Sequence, residues 1–214
     1  MAPTLPVIAT GGFGEQVGRV LSGLRPGTEL LEVTQLRCAI EKFSGPVVLA
    51  AWRPEPALFR RLDSMAHEAG RSWLPVVLET AVVRVGPLVR PAQAPCFRCY
   101  ERRRSQHDLQ APITALLKHR YDRDPSLGPG GFLPHHARAA AAVAAAYADG
   151  APGTGPGLVS TVRLREWGVD ADRVVPWHGC ERCDVGAADR GALQRLTSAL
   201  PAPCPRRQVA EVRR

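Results

Sequence analysis

The chain has 214 residues, 45% of them apolar and 22% charged, which fits one folded domain and excludes wholesale disorder. Its longest run of small apolar residues, Ala139 to Ala148, falls far short of the roughly 20 residues a membrane span requires. A net charge of +8 invites a polyanionic partner, but the excess is almost all arginine and only 6% of residues are aromatic, so nucleic acid is disfavoured as a partner.

The first third alternates short apolar runs with helical patterns. Leu5 to Thr10 reads as a buried strand and is followed by the glycine cluster Gly11-Gly12-Phe13-Gly14. Val17, Val20, Leu21 and Leu24 then recur on one face of a helix, which Pro26-Gly27 ends. Glu29 to Thr34 and Pro46 to Trp52 read as further strands, joined through a short helix or irregular link over Gln35 to Phe43. Leu58, Leu62, Met65 and Ala69 mark a second amphipathic helix, stopped at Gly70. Near-continuous apolar strands separated by helices predict an α/β, doubly wound, Rossmann-like and mainly parallel sheet.

From Trp73 the rhythm changes. Leu74 to Glu79, Ala81 to Val85 and Pro87 to Arg90 lie too close together for helical crossovers, so they are expected to form an antiparallel extension. A polar, helix-capable stretch carrying Arg102-Arg103-Arg104 comes next, then a loop from Asp122 to Pro134 rich in glycine and proline. Alanines from Ala137 to Ala148 favour a helix. Ala151 to Gly157 reads as a loop and Leu158 to Leu164 as a strand. Leu193, Leu196 and Leu200 suggest a last helix. The expected division is a single domain over 1–200 and a loose basic tail over 201–214.

Four of the six cysteines form two pairs, Cys96-Phe-Arg-Cys99 and Cys180-Glu-Arg-Cys183, while Cys38 and Cys204 stand alone. A Cys-x-x-Cys turn presents two sulfurs to one ion, and two such turns complete a tetrahedral zinc site. Four thiolates leave no open coordination position, so the zinc is expected to be structural. Arg98 and Arg182, inside the turns, could offset the thiolate charge. His178 is read as a neighbour of the site that could also swap in as a ligand, and His135-His136 as exposed polar residues opening the alanine helix, with metal or substrate binding as the alternative. Arg102-Arg103-Arg104 is either a solvated helix face or a contact for an acidic peptide.

The stretch from Val85 to Cys99, with its strand pair running into a Pro-Cys-x-x-Cys turn and a second Cys-x-x-Cys far downstream, resembles the ThiF/MoeB-type, ubiquitin-activating-enzyme-like fold. It is most similar to the branch found in bacteriocin and thiazole/oxazole-modified peptide clusters, the cyclodehydratase partner of a YcaO protein. The likeness covers roughly residues 5–185 in order of elements.

Adenylating members of that fold carry Gly-x-Gly-Gly-x-Gly after the first strand, where backbone N–H groups approach phosphates. Here the loop reads Ala9-Thr10-Gly11-Gly12-Phe13-Gly14, and Glu15 adds a carboxylate. No Asn-x-x-Arg follows the second strand, and Leu49-Ala50-Ala51-Trp52-Arg53 supplies no magnesium-binding aspartate. Gly11, Gly12 and Gly14 therefore read as a vestigial nucleotide loop, and ATP is not expected as a cofactor.

The resemblance implies a non-catalytic, zinc-stabilised scaffold that assists a YcaO-type cyclodehydratase or presents its precursor peptide, and it implies a homodimer. Members of the branch also carry an N-terminal module that grips the precursor's leader as an added strand. With the first strand at Leu5, leader binding is expected from another protein or a different surface. An adenylating enzyme acting on a peptide or sulfur-carrier C-terminus, and a zinc protein binding nucleic acid, are the alternatives. Met1 to Pro6 has no secretory pattern, so a cytoplasmic location is expected.

Overall fold

A computed structural model describes residues 4–183 of the chain. Seven strands form one mixed sheet, in the order β2-β1-β3-β4-β5-β6-β7. β1 (Leu5–Thr10) lies between β2 (Thr28–Leu31) and β3 (Val47–Ala51), and β4 (Trp73–Leu78) continues the parallel half beside β3. β5 (Val82–Val85), β6 (Leu158–Arg163) and β7 (Gly168–Arg173) add on in antiparallel fashion.

Side chains of alternate residues along these strands point to opposite faces, and each face has its own core. On one face Val7, Val48, Ala50, Leu74 and Val76 pack with α1 (Gly11–Leu24) and α6 (Pro134–Ala148). On the other, Ile8, Leu49, Ala51, Trp73 and Val77 pack with α2 (Leu36–Lys42) and α3 (Pro56–Glu68). α1 meets the sheet through Phe13, Val17 and Leu21, and α6 through alanines, which let it approach closely. Two more helices, α4 (Phe97–Gln106) and α5 (Ala111–Arg123), connect β5 to α6. None of the described helices is long and apolar enough to cross a membrane.

Several expected elements differ. The second strand stops at Leu31, because Glu32 and Gln35 cap each other's backbone and turn Val33–Gln35 into a 3-10 helix. The expected strand over Pro87 to Arg90 reduces to one bridge, Val89 opposite Trp73. Prolines at 87 and 91 have no N–H with which to extend a ladder. β4 is antiparallel only to β5; toward β3 it runs parallel.

β7 lies where the sequence pattern offered no element, whereas the helix-capable stretch after the first cysteine pair holds two helices, α4 and α5. β7 is an edge strand reading Gly-Val-Asp-Ala-Asp-Arg, mostly exposed and lacking an apolar face. α5 takes in Asp122 and Arg123 from the expected loop, and it buries only Tyr121 while Ile113 and Leu116 stay more than 60% exposed. The alanine helix starts at Pro134, earlier than Ala137, because proline suits the first helical position. The expected helix around Leu193 and the tail over 201–214 lie outside the described residues.

Candidate functional site

The fold brings the two cysteine pairs together. Cys96 is the residue at the N-cap of α4 and Cys99 sits in its first turn, while Cys180 and Cys183 lie in the turn that follows Trp177. The four Sγ atoms all fall within 4.8 Å of one another. Cys96 Sγ is 3.8 Å from Cys99 Sγ and 3.6 Å from Cys180 Sγ, and Cys99 Sγ is 3.5 Å from Cys183 Sγ. Four sulfurs at about 2.3 Å from a tetrahedral ion stand roughly 3.8 Å apart, so the residues fit a metal.

Burial, with the neighbouring thiols, pushes the Cys96 thiol up to about 11, and burial raises Cys183 as well. Burial works against ionisation of Cys180 too, but hydrogen bonds from the Arg182 and Cys183 backbone outweigh it and bring that thiol down to about 7. A cation among the sulfurs removes the cost of gathering four thiolates. The Trp177 N–H donates to Cys99 Sγ at 3.3 Å, fixing the sulfur from outside the cluster. Among the described residues this quartet is the group of metal-ligating side chains close enough to share an ion. Cys38 is free and lies on α2, and Cys204 falls outside the described residues.

The arginines around the cluster have internal partners. Arg102 stacks on the Trp177 ring, with Cζ 3.6 Å from its centroid. Arg103 donates to the carbonyls of Val175 and Pro176 at 3.2 and 2.9 Å. Arg104 pairs with Glu79 at 2.6 Å. The run Arg102-Arg103-Arg104 is thus not simply a solvated face: it clamps the segment that delivers Cys180 and Cys183 and ties α4 to the sheet. Arg182 turns away from the thiolates to pair with Asp63, whereas Arg98 stays exposed. A groove of about 770 Å³ lies nearby, lined by Arg84, Arg103, His107, Asp108, Asp172 and Arg173. No local pattern signals it, because its walls come from separate segments of the chain.

Gly11, Gly12 and Gly14 are not in a loop; they form the first turn of α1, at the carboxyl end of β1. In open α/β sheets of this strand order, ligands enter the crevice between β1 and β3. Here the Trp52 side chain fills it. A Cβ on Gly11, whose φ is +61°, would meet Trp52 Cδ1 at 2.4 Å, and one on Gly128 would meet the same indole at 2.4 Å on its far edge. Phe132 closes the rim, with its ring 5.2 Å from that of Phe13. Buried Arg53 holds this cover down, donating from Nη1 to the Asp124 carbonyl at 2.6 Å.

Gly14 serves packing: a Cβ there would lie 2.2 Å from the Ala50 carbonyl oxygen. Thr10 Oγ1 donates to Glu55 at 2.6 Å, which adds a carboxylate beside the same helix end, and Glu15 pairs with Arg19 at 3.0 Å. An indole and two carboxylates thus stand at this end of α1. His135 and His136 open α6, but only His135 is exposed: His136 is buried, because its Nδ1 accepts the Leu133 N–H at 3.2 Å and so caps the helix.

No protein-family model matches the chain, and no curated protein matches it. Solved structures do. A heterocyclase in complex with substrate and cofactor superposes with a TM-score of 0.60 at 16% identity, covering 85% of this chain and 25% of the other. The heterocyclase TruD gives 0.59 at 18% identity, covering 91% and 28%. MccB of E. coli, in complex with AMPCPP and MccA, gives 0.57 at 14%, covering 85% and 66%. The chain therefore shares its fold with these proteins, while spanning only 25% and 28% of the two heterocyclases' length.

Proposed function

We propose that this chain is a non-catalytic partner protein in the biosynthesis of an azole-type modified peptide. It holds a YcaO-type cyclodehydratase or presents that enzyme with its precursor peptide. The observation that carries the reading is Trp52, seated between Gly11 and Gly128 in the crevice where a sheet of this order takes its ligand, on a fold shared with heterocyclases. Adenylation needs a metal and cations to neutralise phosphate charge, and the residues here supply an indole, Glu55 and Glu15 in their place. Helices on both faces of the parallel strands support the doubly wound reading, and a single domain over 1–200 goes with it.

Zinc is the metal proposed for Cys96, Cys99, Cys180 and Cys183, because four thiolates in a tetrahedron suit it and close its coordination. Its role is then structural: it fastens the segment after β7 to the start of α4. Reduced thiols of this kind belong to a cytoplasmic setting, and a homodimer is proposed from the resemblance alone.

Reconstitution tests the reading. Co-purification with the cyclodehydratase encoded nearby, and a large loss of its turnover when this protein is withheld, are expected. Unchanged turnover without it would end the reading. One observation favours an adenylating enzyme instead: the likeness to MccB, whose structures include one with ATP. That reading requires Trp52 and the 124–132 segment to move out of the crevice together.

A further inference from the structure

The second cysteine pair follows the first by 84 positions, and besides the Arg102–Arg103 clamp a buried ion pair outside the sulfurs holds it there. Arg182 lies between Cys180 and Cys183. Its Nη1 donates to the Asp63 carboxylate and its Nη2 to the Asp63 carbonyl oxygen at 2.7 Å. The side chains are 7% and 5% exposed. Asp63 is on α3, 119 positions away, and its other carboxylate oxygen accepts the indole N–H of Trp73 at 3.2 Å. Trp73 is fully buried in the core that contains Phe97, the residue directly after Cys96. One carboxylate thus reaches the second pair through Arg182 and the element carrying the first through Trp73 and Phe97.

We propose that Asp63 is the positioning residue of the four-cysteine metal site, a latch that seats the turn Cys180–Cys183 against Cys96 and Cys99 so that the ion meets four sulfurs already in place. The proposal rests on the metal reading of the quartet and adds to it a residue that no cysteine spacing indicates. Its physical basis is preorganisation. Partners that orient metal ligands from outside typically carry about 10–100-fold of the affinity, because without them the ion must order the ligands itself. The Arg182 fork has the right shape for such a latch. A planar guanidinium that binds a carboxylate and a carbonyl of the same residue fixes both the distance and the tilt of the turn.

The experiment uses the full chain, purified with zinc, and measures affinity by competition with a chromophoric chelator. D63N and R182Q are each expected to weaken zinc binding by about 10–100-fold. The double variant is expected to lose little more than either single one, because both remove the same contact. L74A, in the core on the opposite face of the sheet, lowers the thermal midpoint without moving the zinc affinity. Should D63N fail to fold, R182Q and L74A still decide the matter.

Zinc affinities of D63N and R182Q equal to wild type would overturn the latch while leaving the metal site intact. Losses that add in the double variant, or an equal loss in L74A, would also overturn it, because they would report general destabilisation. Absence of tight zinc binding in the wild-type chain would overturn the metal reading itself, and the latch with it.

Discussion

Gly14 allows a packing role and a phosphate-cradling role to be told apart by stability. Its missing Cβ would stand 2.2 Å from the Ala50 carbonyl oxygen and 3.1 Å from the Ala50 carbonyl carbon, both backbone atoms of β3 that no rotamer can move. Ordinary contact needs about 3.5 Å, so G14A forces α1 off the sheet by roughly 1 Å. The face that lifts carries Phe13, Val17 and Leu21, all buried. Overpacking of this kind costs about 1–3 kcal/mol, and the better helix propensity of alanine returns up to about 1 kcal/mol.

A net loss of up to about 3 kcal/mol lowers the thermal midpoint by up to roughly 12 °C in a domain of this size. Gly23, on the same helix, is exposed and would find nothing within 4 Å of a new Cβ. G23A therefore gains about 0.4–1 kcal/mol and raises the midpoint. Thermal unfolding followed by circular dichroism reads both variants. A G14A midpoint equal to or above that of G23A would refute the packing argument.

Other parts of the molecule carry their own expected outcomes. With free zinc at about 100 times its dissociation constant, metal linkage is worth about 2.7 kcal/mol, so chelation is expected to lower the midpoint by roughly 5–11 °C, and C183S to remove that response. R53A removes the buried cation that holds Asp124 and Leu127; limited proteolysis is expected to move into the 124–132 segment, with a stability loss of about 2–3 kcal/mol. Burial, reinforced by His135, lowers the pKa of His136 below its ordinary 6.5. The unfolded chain then binds the proton more readily, so this group's contribution is present above about pH 6.5 and is lost as the pH falls below it. H136N is expected to flatten that part of a midpoint-against-pH profile, and an unchanged slope would contradict the assignment.

The sequence disclosed the parts of this fold that carry dense apolar signals. β1 and β3 are nearly continuous apolar runs buried on both faces, and α1 and α3 show regular stripes, so their periods were readable. β7 was not, because an edge strand needs only backbone partners and its six residues are mostly polar or small. α5 lies in the stretch that reads as helix-capable, but no apolar stripe marks it as a separate helix, because its leucines face outward and Tyr121 is its one buried residue.

The cysteine quartet was legible because Cys-x-x-Cys states its own geometry within four residues. The link from Asp63 to Arg182 was not, since nothing local relates a buried aspartate on α3 to an arginine 119 positions later. The glycine cluster was legible as a strand-to-helix junction after β1. The indole of Trp52 against it was not legible, because its place depends also on Gly128 from a distant segment.

Calorimetric titration of the zinc-replete protein with magnesium-ATP tests the central claim most directly. With Trp52 in the crevice, no saturable heat is predicted up to millimolar nucleotide. Saturable binding in the micromolar range would contradict the account and make the chain an adenylating enzyme whose indole moves aside.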